Sequence, residues 1–111
     1  LTGKFTKDIQ FGEGDFRKRW IENDYEYKIF LNDLEKVEKL RTLTDGRSLA
    51  QLAIQFVLQH PAVTTVIPGA KRISQLSENM KAALLPPLTA EALQLIDSIT
   101  PPGGGRKIWP A

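Results

Sequence analysis

The sequence predicts an α/β fold that is mostly helical, with four helices and one clear short strand. Apolar residues recur every three or four positions in four segments between residues 25 and 99, which is the spacing that buries one face of an α-helix. Residues 63–67 (VTTVI) are β-branched at every position, as in a strand covered on both faces. Because a lone strand leaves its backbone groups unpaired, we expect neighbouring strands from residues outside this sequence.

The composition narrows the class of protein. The 111 residues are 41% hydrophobic and 25% charged, as in globular proteins. Fifteen basic residues against 13 acidic ones give a net charge of +2, which is too balanced to indicate a nucleic-acid partner. The absence of cysteine excludes disulfides and cysteine-based metal sites. No apolar stretch reaches the roughly 18 residues of a membrane span, and no signal peptide is visible, so we expect a cytoplasmic protein without membrane partners.

The first half of the chain divides into a loop and two helices. Residues 1–24 lack helical spacing and contain several glycines, which indicates a loop. Residues 25–43 follow helical spacing, and we expect Asp24 to cap this helix. The second helix begins after Ser48, which forms a capping-box pattern with Gln51. It ends at His60, because Pro61 disfavours helical backbone in the residue before it.

The second half alternates between apolar segments and turns. The predicted strand at residues 63–67 is followed by a helix at about 73–84 and, after a proline-containing linker, by a last helix at 90–99. Thr89 is the expected cap of that last helix. Residues 100–111 form a glycine- and proline-rich tail that contains Trp109.

The loop after the predicted strand has the features of an anion-binding site. Gly69 allows backbone to approach a ligand closely. The start of the following helix offers unpaired N–H groups, and Lys71 and Arg72 add two positive charges. We therefore expect this loop to bind a phosphate group.

The helix after this loop carries polar and apolar side chains on different arcs. Gln75, Glu78 and Asn79 are spaced i, i+3 and i+4, so they share one face and could contact a single ligand. The apolar side chains of the helix, such as Leu76 and Met80, occupy another arc. We expect the polar face to point outward.

Several segments, taken in order, resemble the aldo/keto reductase family. They are residues 1–5 (LTGKF), 15–17 (DFR), 48–54 (SLAQLAI) and the predicted strand with residues 68–70 (PGA). The family folds as a (β/α)8 TIM barrel. The resemblance implies that residues 1–111 are the C-terminal portion of one such barrel domain, with a cofactor-side loop (1–24), helices and the last strand (25–99) and a tail (100–111).

The resemblance also implies a function and a set of binding residues. The family transfers hydride between the nicotinamide of NADP and a small-molecule carbonyl or alcohol. Thr2 and Lys4 would contact the pyrophosphate or ribose, and Arg17 the phosphate end. The remaining cofactor-binding residues would be Gly69 and Lys71 at the 2′-phosphate, and Gln75, Glu78 and Asn79 at the adenosine. Relatives often carry arginine where Lys71 stands, so that side chain cannot bind phosphate in a bidentate manner.

No catalytic residue is predicted within these 111 residues. The family's catalytic aspartate, tyrosine, lysine and histidine come from earlier barrel strands, and neither His60 nor Tyr25 and Tyr27 resemble them. The resemblance therefore implies a chain that binds cofactor but is inactive alone. One alternative is a non-catalytic, nucleotide-binding interaction or regulatory protein on the same scaffold. Another is a free-standing helical binding module, against which the unpaired strand argues.

Overall fold

A computed structural model describes residues 3–103. In this range the chain forms five α-helices, a 3-10 turn at Phe16–Lys18 before the first, and another at Ala82–Leu84 after the fourth. The predictions for Thr2 and for residues 104–111 of the tail, which include Trp109, lie outside the described residues. The helices, in chain order, are α1 (Arg19–Glu22), α2 (Asp24–Arg41), α3 (Leu49–Leu58), α4 (Ile73–Lys81) and α5 (Ala90–Ile99).

The predicted strand at residues 63–67 is not formed. Residues 63–70 are assigned neither helix nor strand, and Ile67 is 94% exposed. A strand exists only through hydrogen bonds to a neighbouring strand, and residues 3–103 contain no second strand to supply them. This corrects the predicted single strand: the regular structure of the described chain is entirely helical.

The N-terminal quarter is more ordered than the predicted loop. Asp15 accepts a hydrogen bond from the Arg17 N–H and so starts a 3-10 turn that leads into α1. α2 follows almost directly, and its cap is Asn23 instead of the expected Asp24. The Asn23 side chain accepts from the N–H groups of Tyr25 and Glu26, which is the usual role of a residue just before the first helical turn.

Local capping sets the bounds of α3 and α5 as predicted. The Gln51 N–H donates to Ser48 Oγ at 3.2 Å and the Ser48 N–H donates to Gln51 Oε1 at 3.0 Å. This reciprocal pair is a complete capping box. α5 starts where Thr89 Oγ1 accepts from the Ala92 N–H at 3.1 Å. Pro61 lies just beyond the end of α3, as the sequence predicted.

The core is small and lies between α2, α3 and α5. Its buried residues are Leu40, Leu49, Leu52, Leu88 and Ile96. A cavity of about 800 Å³ adjoins this cluster and is lined mainly by apolar side chains of α2 and α3, together with residues 100–103. The two ends of the described chain therefore meet the same core, because Gly3 and Lys4 also line this cavity.

Candidate cofactor-binding site

Residues 69–72 form a loop that is fastened to the helix it precedes. Gln75 Oε1 accepts hydrogen bonds from the N–H groups of Lys71, at 2.9 Å, and Arg72, at 3.2 Å. Asn79 Nδ2 donates to the Gly69 carbonyl at 3.5 Å, a long bond from one turn further along α4. Two of the residues predicted to contact adenosine thus hold the backbone of the loop.

The two cations of this loop are exposed at the start of α4. Lys71 and Arg72 form no ion pair with another residue of the described range. The first N–H groups of α4, at Ile73 and Ser74, have no carbonyl partner within the helix. The helix dipole adds partial positive charge at the same end. The loop therefore presents an accessible, positively charged corner.

The space above Gly69 is open. A Cβ atom built at this glycine would meet no heavy atom of residues 3–103 within 4 Å. The glycine is therefore not required by a neighbouring side chain in residues 3–103. A ligand could approach its backbone from this side, which is the role that the sequence predicted for it.

The polar and apolar arcs of α4 are separate, as predicted. The apolar arc is the more exposed one, however, which is the reverse of the expected arrangement. Gln75, Glu78 and Asn79 are partly buried, whereas Ile73 is 86% and Met80 66% exposed. The reason is that α4 packs on α3 through a polar contact. This corrects the expectation that the polar face points outward, while the assignment of Glu78 to the adenosine stays a prediction.

Arg17 is held within the N-terminal segment. Its Nε donates to Asp15 Oδ1 at 2.9 Å and its Nη2 to Asp15 Oδ2 at 2.6 Å. These hydrogen bonds lower the pKa of the Asp15 carboxyl from 3.8 to about 2. The guanidinium also lies 5.2–6.0 Å from the ring centroids of Phe5, Phe11 and Phe16, which is within cation–π range.

The two predicted groups of binding residues are not joined in this structure. Lys4 is exposed, and no hydrogen bond or ion pair within the described range links Lys4 or Arg17 to residues 69–79. Arg17 is already paired with the Asp15 carboxylate, so its positive charge is largely neutralised within the N-terminal segment. Its contact with the cofactor's phosphate end, like that of Lys4, stays a prediction for the longer protein.

A row of glutamines on α3 was missed by the sequence prediction. Gln51, Gln55 and Gln59 lie at i, i+4 and i+8, and each bonds to backbone atoms between residues 78 and 88. Gln55 is only 5% exposed, and its Oε1 accepts from Arg47 Nε at 2.6 Å. The spacing was visible in the sequence, since residues four apart share a helix face. Only Gln51 was interpreted, as part of the capping box.

The single histidine of the sequence has a local role. His60 Nδ1 accepts from the Ala62 N–H at 3.2 Å, within the turn after α3. The described residues contain no group of three or more acidic or histidine side chains placed to hold a metal ion. No helix within residues 3–103 is both long and apolar enough to cross a membrane.

Comparison with known proteins decides the family. The sequence model described as the Aldo/keto reductase family matches residues 1–101. The chain belongs to this family. Because aldo/keto reductases are TIM barrels, membership implies that the chain is a fragment of such a barrel. No solved structure gives a significant match.

Two relatives illustrate the range of the family. A probable voltage-gated potassium channel subunit beta from Arabidopsis thaliana is 37% identical over 102 residues, which cover 89% of this chain and 31% of that protein. Aldo-keto reductase yakc from Schizosaccharomyces pombe, whose name specifies NADP(+), is 30% identical over 120 residues, with 98% of this chain and 35% of that protein covered. The aldo/keto reductase chain thus spans about a third of the length of these relatives.

Proposed function

We propose that this chain is the cofactor-binding, C-terminal part of an NADP-dependent aldo/keto reductase. The complete protein would transfer hydride between the nicotinamide and a small-molecule carbonyl or alcohol. Family membership supports the reaction class, and the name of the S. pombe relative supports the choice of NADP. The chain itself contributes binding groups and no catalytic acid or base.

The observation that carries the proposal is the pair of exposed cations at the start of α4, which form no ion pair within residues 3–103. Lys71 and Arg72 stand beside an open glycine, on a loop whose backbone is fixed by Gln75. A 2′-phosphate carries negative charge and several acceptor oxygens, which suit these donors. One charged hydrogen bond contributes about 1.5–3 kcal/mol, equivalent to roughly a 10- to 100-fold preference for NADP over NAD.

Each residue of the loop has its own task in this proposal. Lys71 and Arg72 bind the phosphate, and Gly69 lets the ligand approach the backbone. Gln75 and Asn79 keep the backbone of the loop folded against α4, so the backbone that carries the two cations is held in place before the ligand arrives. The chemistry supplied at this site would be hydride transfer to or from the nicotinamide of bound NADP(H), and the groups that move the proton would come from parts of the protein outside this chain.

The direct test is Lys71→Ala in the protein that contains this chain. Removing the charge should weaken NADPH binding about tenfold and leave NADH binding nearly unchanged, because NADH lacks the 2′-phosphate. Fluorescence titration with each nucleotide measures both affinities. Lys81→Ala is the matched control, since Lys81 is an exposed lysine at the opposite end of α4. Equal losses for both nucleotides would remove the 2′-phosphate assignment.

A non-catalytic role is the second candidate function. It is favoured by the similarity to the Arabidopsis thaliana protein named as a probable voltage-gated potassium channel subunit beta. In that case the bound nucleotide would serve structure or regulation. Turnover separates the two functions: the complete protein would oxidise NADPH in the presence of a panel of aldehydes and ketones if it is a reductase. Tight NADPH binding without any such oxidation would favour the regulatory role.

A further inference from the structure

The glutamine row of α3, defined as Gln51, Gln55 and Gln59, fastens the segment that follows the candidate phosphate loop. Gln51 Nε2 donates to the Glu78 carbonyl at 3.0 Å. Gln55 Nε2 donates to the Pro86 carbonyl at 3.0 Å. Gln59 makes a two-way contact with Leu88, donating to its carbonyl at 3.0 Å and accepting from its N–H at 2.7 Å. The first of these bonds reaches α4 itself.

Gln51 completes the C-terminal end of α4. Glu78 is one of the last four residues of this helix, whose carbonyls lack a regular helical partner. The Ala82 N–H, which would bond to the Glu78 carbonyl in a continuing α-helix, bonds instead to the Asn79 and Met80 carbonyls as the chain tightens into the 3-10 turn. The Gln51 amide therefore takes the place of a missing backbone donor.

Within residues 3–103, the packing of α4 on α3 is concentrated at the C-terminal end of α4, where Ala82, the first residue after the helix, is 1% exposed. The Gln51–Glu78 bond is the one side-chain hydrogen bond between these two helices within residues 3–103. The apolar arc of α4 is exposed, with Ile73 at 86% and Leu84, just beyond the helix, at 85%. Residues 63–70, which precede the helix, have no regular structure that could fix its direction.

We propose that Gln51 is a positioning residue for the candidate cofactor site. By bonding to Glu78 it fixes α4 on α3, and so sets where the loop with Lys71 and Arg72 stands. This inference rests on the proposed binding of NADP at that loop. The same amide group also closes the capping box of α3, so a single side chain ties the start of one helix to the end of the next.

The chain offers a closely matched pair of variants, Gln51→Glu and Gln59→Glu. Each replaces one side-chain amide by a carboxylate and removes one N–H···O=C bond of 3.0 Å. Each keeps its accepting oxygen, for the Ser48 N–H in the first case and the Leu88 N–H in the second. Glutamate is itself a standard capping-box residue, so Gln51→Glu leaves the cap of α3 intact.

The helix dipole makes Gln59→Glu a stringent control for Gln51→Glu. A negative charge at residue 51 lies in the first turn of α3, where the dipole favours it, whereas residue 59 follows the last turn, where the dipole opposes it. If both glutamines have a purely structural role, Gln59→Glu should weaken NADPH binding at least as much as Gln51→Glu does. If Gln51 positions the site, Gln51→Glu should weaken NADPH binding more than Gln59→Glu does.

The affinities for NADPH and NADH in the protein that contains this chain decide the question. We expect Gln51→Glu to weaken NADPH binding about three- to tenfold with a smaller change for NADH. Gln59→Glu should change both affinities by no more than about twofold. Equal losses for the two nucleotides, or a loss for Gln59→Glu that matches that for Gln51→Glu, would overturn the proposal.

Hydrogen exchange without nucleotide keeps this inference separate from the proposed function. Failure of the unsubstituted protein to bind NADPH would overturn the function but would not decide the placement of α4. In that event the exchange rates of the backbone amides of residues 73–81 decide whether Gln51 fixes the placement of α4. Faster exchange there in Gln51→Glu, with α5 unchanged, supports the anchoring of α4 by Gln51. Unchanged exchange in α4 overturns it.

Discussion

Arg17 and Lys71 carry the same charge in opposite surroundings. The resemblance to aldo/keto reductases implied a cofactor-binding role for both, Arg17 through residues 15–17 and Lys71 through the loop after the predicted strand. In the structure Arg17 is held by both carboxylate oxygens of Asp15, whereas Lys71 has no ion pair within the described residues. The difference arises because Asp15 already caps the turn that contains Arg17. Which cation stays available thus depends on a capping residue, and the sequence prediction did not weigh it.

The pair of Asp15 and Arg17 should give the protein a specific response to acid. The hydrogen bonds from Arg17 hold the pKa of Asp15 at about 2 instead of 3.8. A carboxyl whose pKa is lower in the folded state contributes stability above its unfolded pKa and loses that contribution as pH falls through the folded value. The contribution should therefore disappear between about pH 4 and pH 2.

Asp15→Asn tests this response, because asparagine keeps an oxygen for the Arg17 N–H but carries no charge. We expect the unsubstituted chain to melt at a higher temperature than the variant at pH 5, with the difference shrinking towards pH 2. Circular dichroism at several pH values measures it. Asp8→Asn, at an exposed turn residue, is the control. A difference from Asp15→Asn that stays constant over this range would contradict the assignment.

At the scale of elements, the features set by interactions between neighbouring residues were predictable from the sequence, and those that depend on distant residues were not. α3 depends on a cap at Ser48 and a stop at Pro61, and its observed limits, Leu49–Leu58, agree with those signals. Residues 63–67 have an equally clear pattern, but a strand needs a partner and residues 3–103 provide none. For α4 the limits were local and predictable. The direction of α4 was not predictable, because it depends on a contact with Gln51 of α3.

The cap of α3 should account for a measurable part of the stability of this chain. Ser48→Ala removes the oxygen that accepts from the Gln51 N–H at 3.2 Å, and loss of such a cap costs about 1 kcal/mol. Ser98→Ala is the control, since its exposed hydroxyl only donates back to the Leu95 carbonyl within α5 and should matter by less than about 0.5 kcal/mol. Urea unfolding measures both, and equal losses would contradict the role of the cap.

At the scale of the whole molecule, the chain exposes more apolar surface than a finished domain does. Among the described residues the buried core consists of only a few side chains, such as Leu52 and Ile96. The radius of gyration is 15.2 Å, against about 13 Å for a compact chain of this length. The unpaired strand pattern at residues 63–67 predicted that elements are missing, whereas the apolar content did not indicate this deficit, because it is that of a complete globular protein. The comparison with relatives three times as long explains it.

Two leucines test whether the rest of a barrel covers these surfaces. Leu52 is 3% exposed and Leu76, on the apolar arc of α4, is 50% exposed. In this chain alone, Leu52→Ala should cost about 2–5 kcal/mol and Leu76→Ala less than about 0.5 kcal/mol. In the complete protein the cost of Leu52→Ala should stay similar, because that side chain is already buried. The cost of Leu76→Ala should rise above about 1 kcal/mol if other barrel elements pack on α4. Denaturant unfolding of both forms measures this change, and a Leu76→Ala cost that stays small in the complete protein would mean that the apolar arc of α4 remains open there.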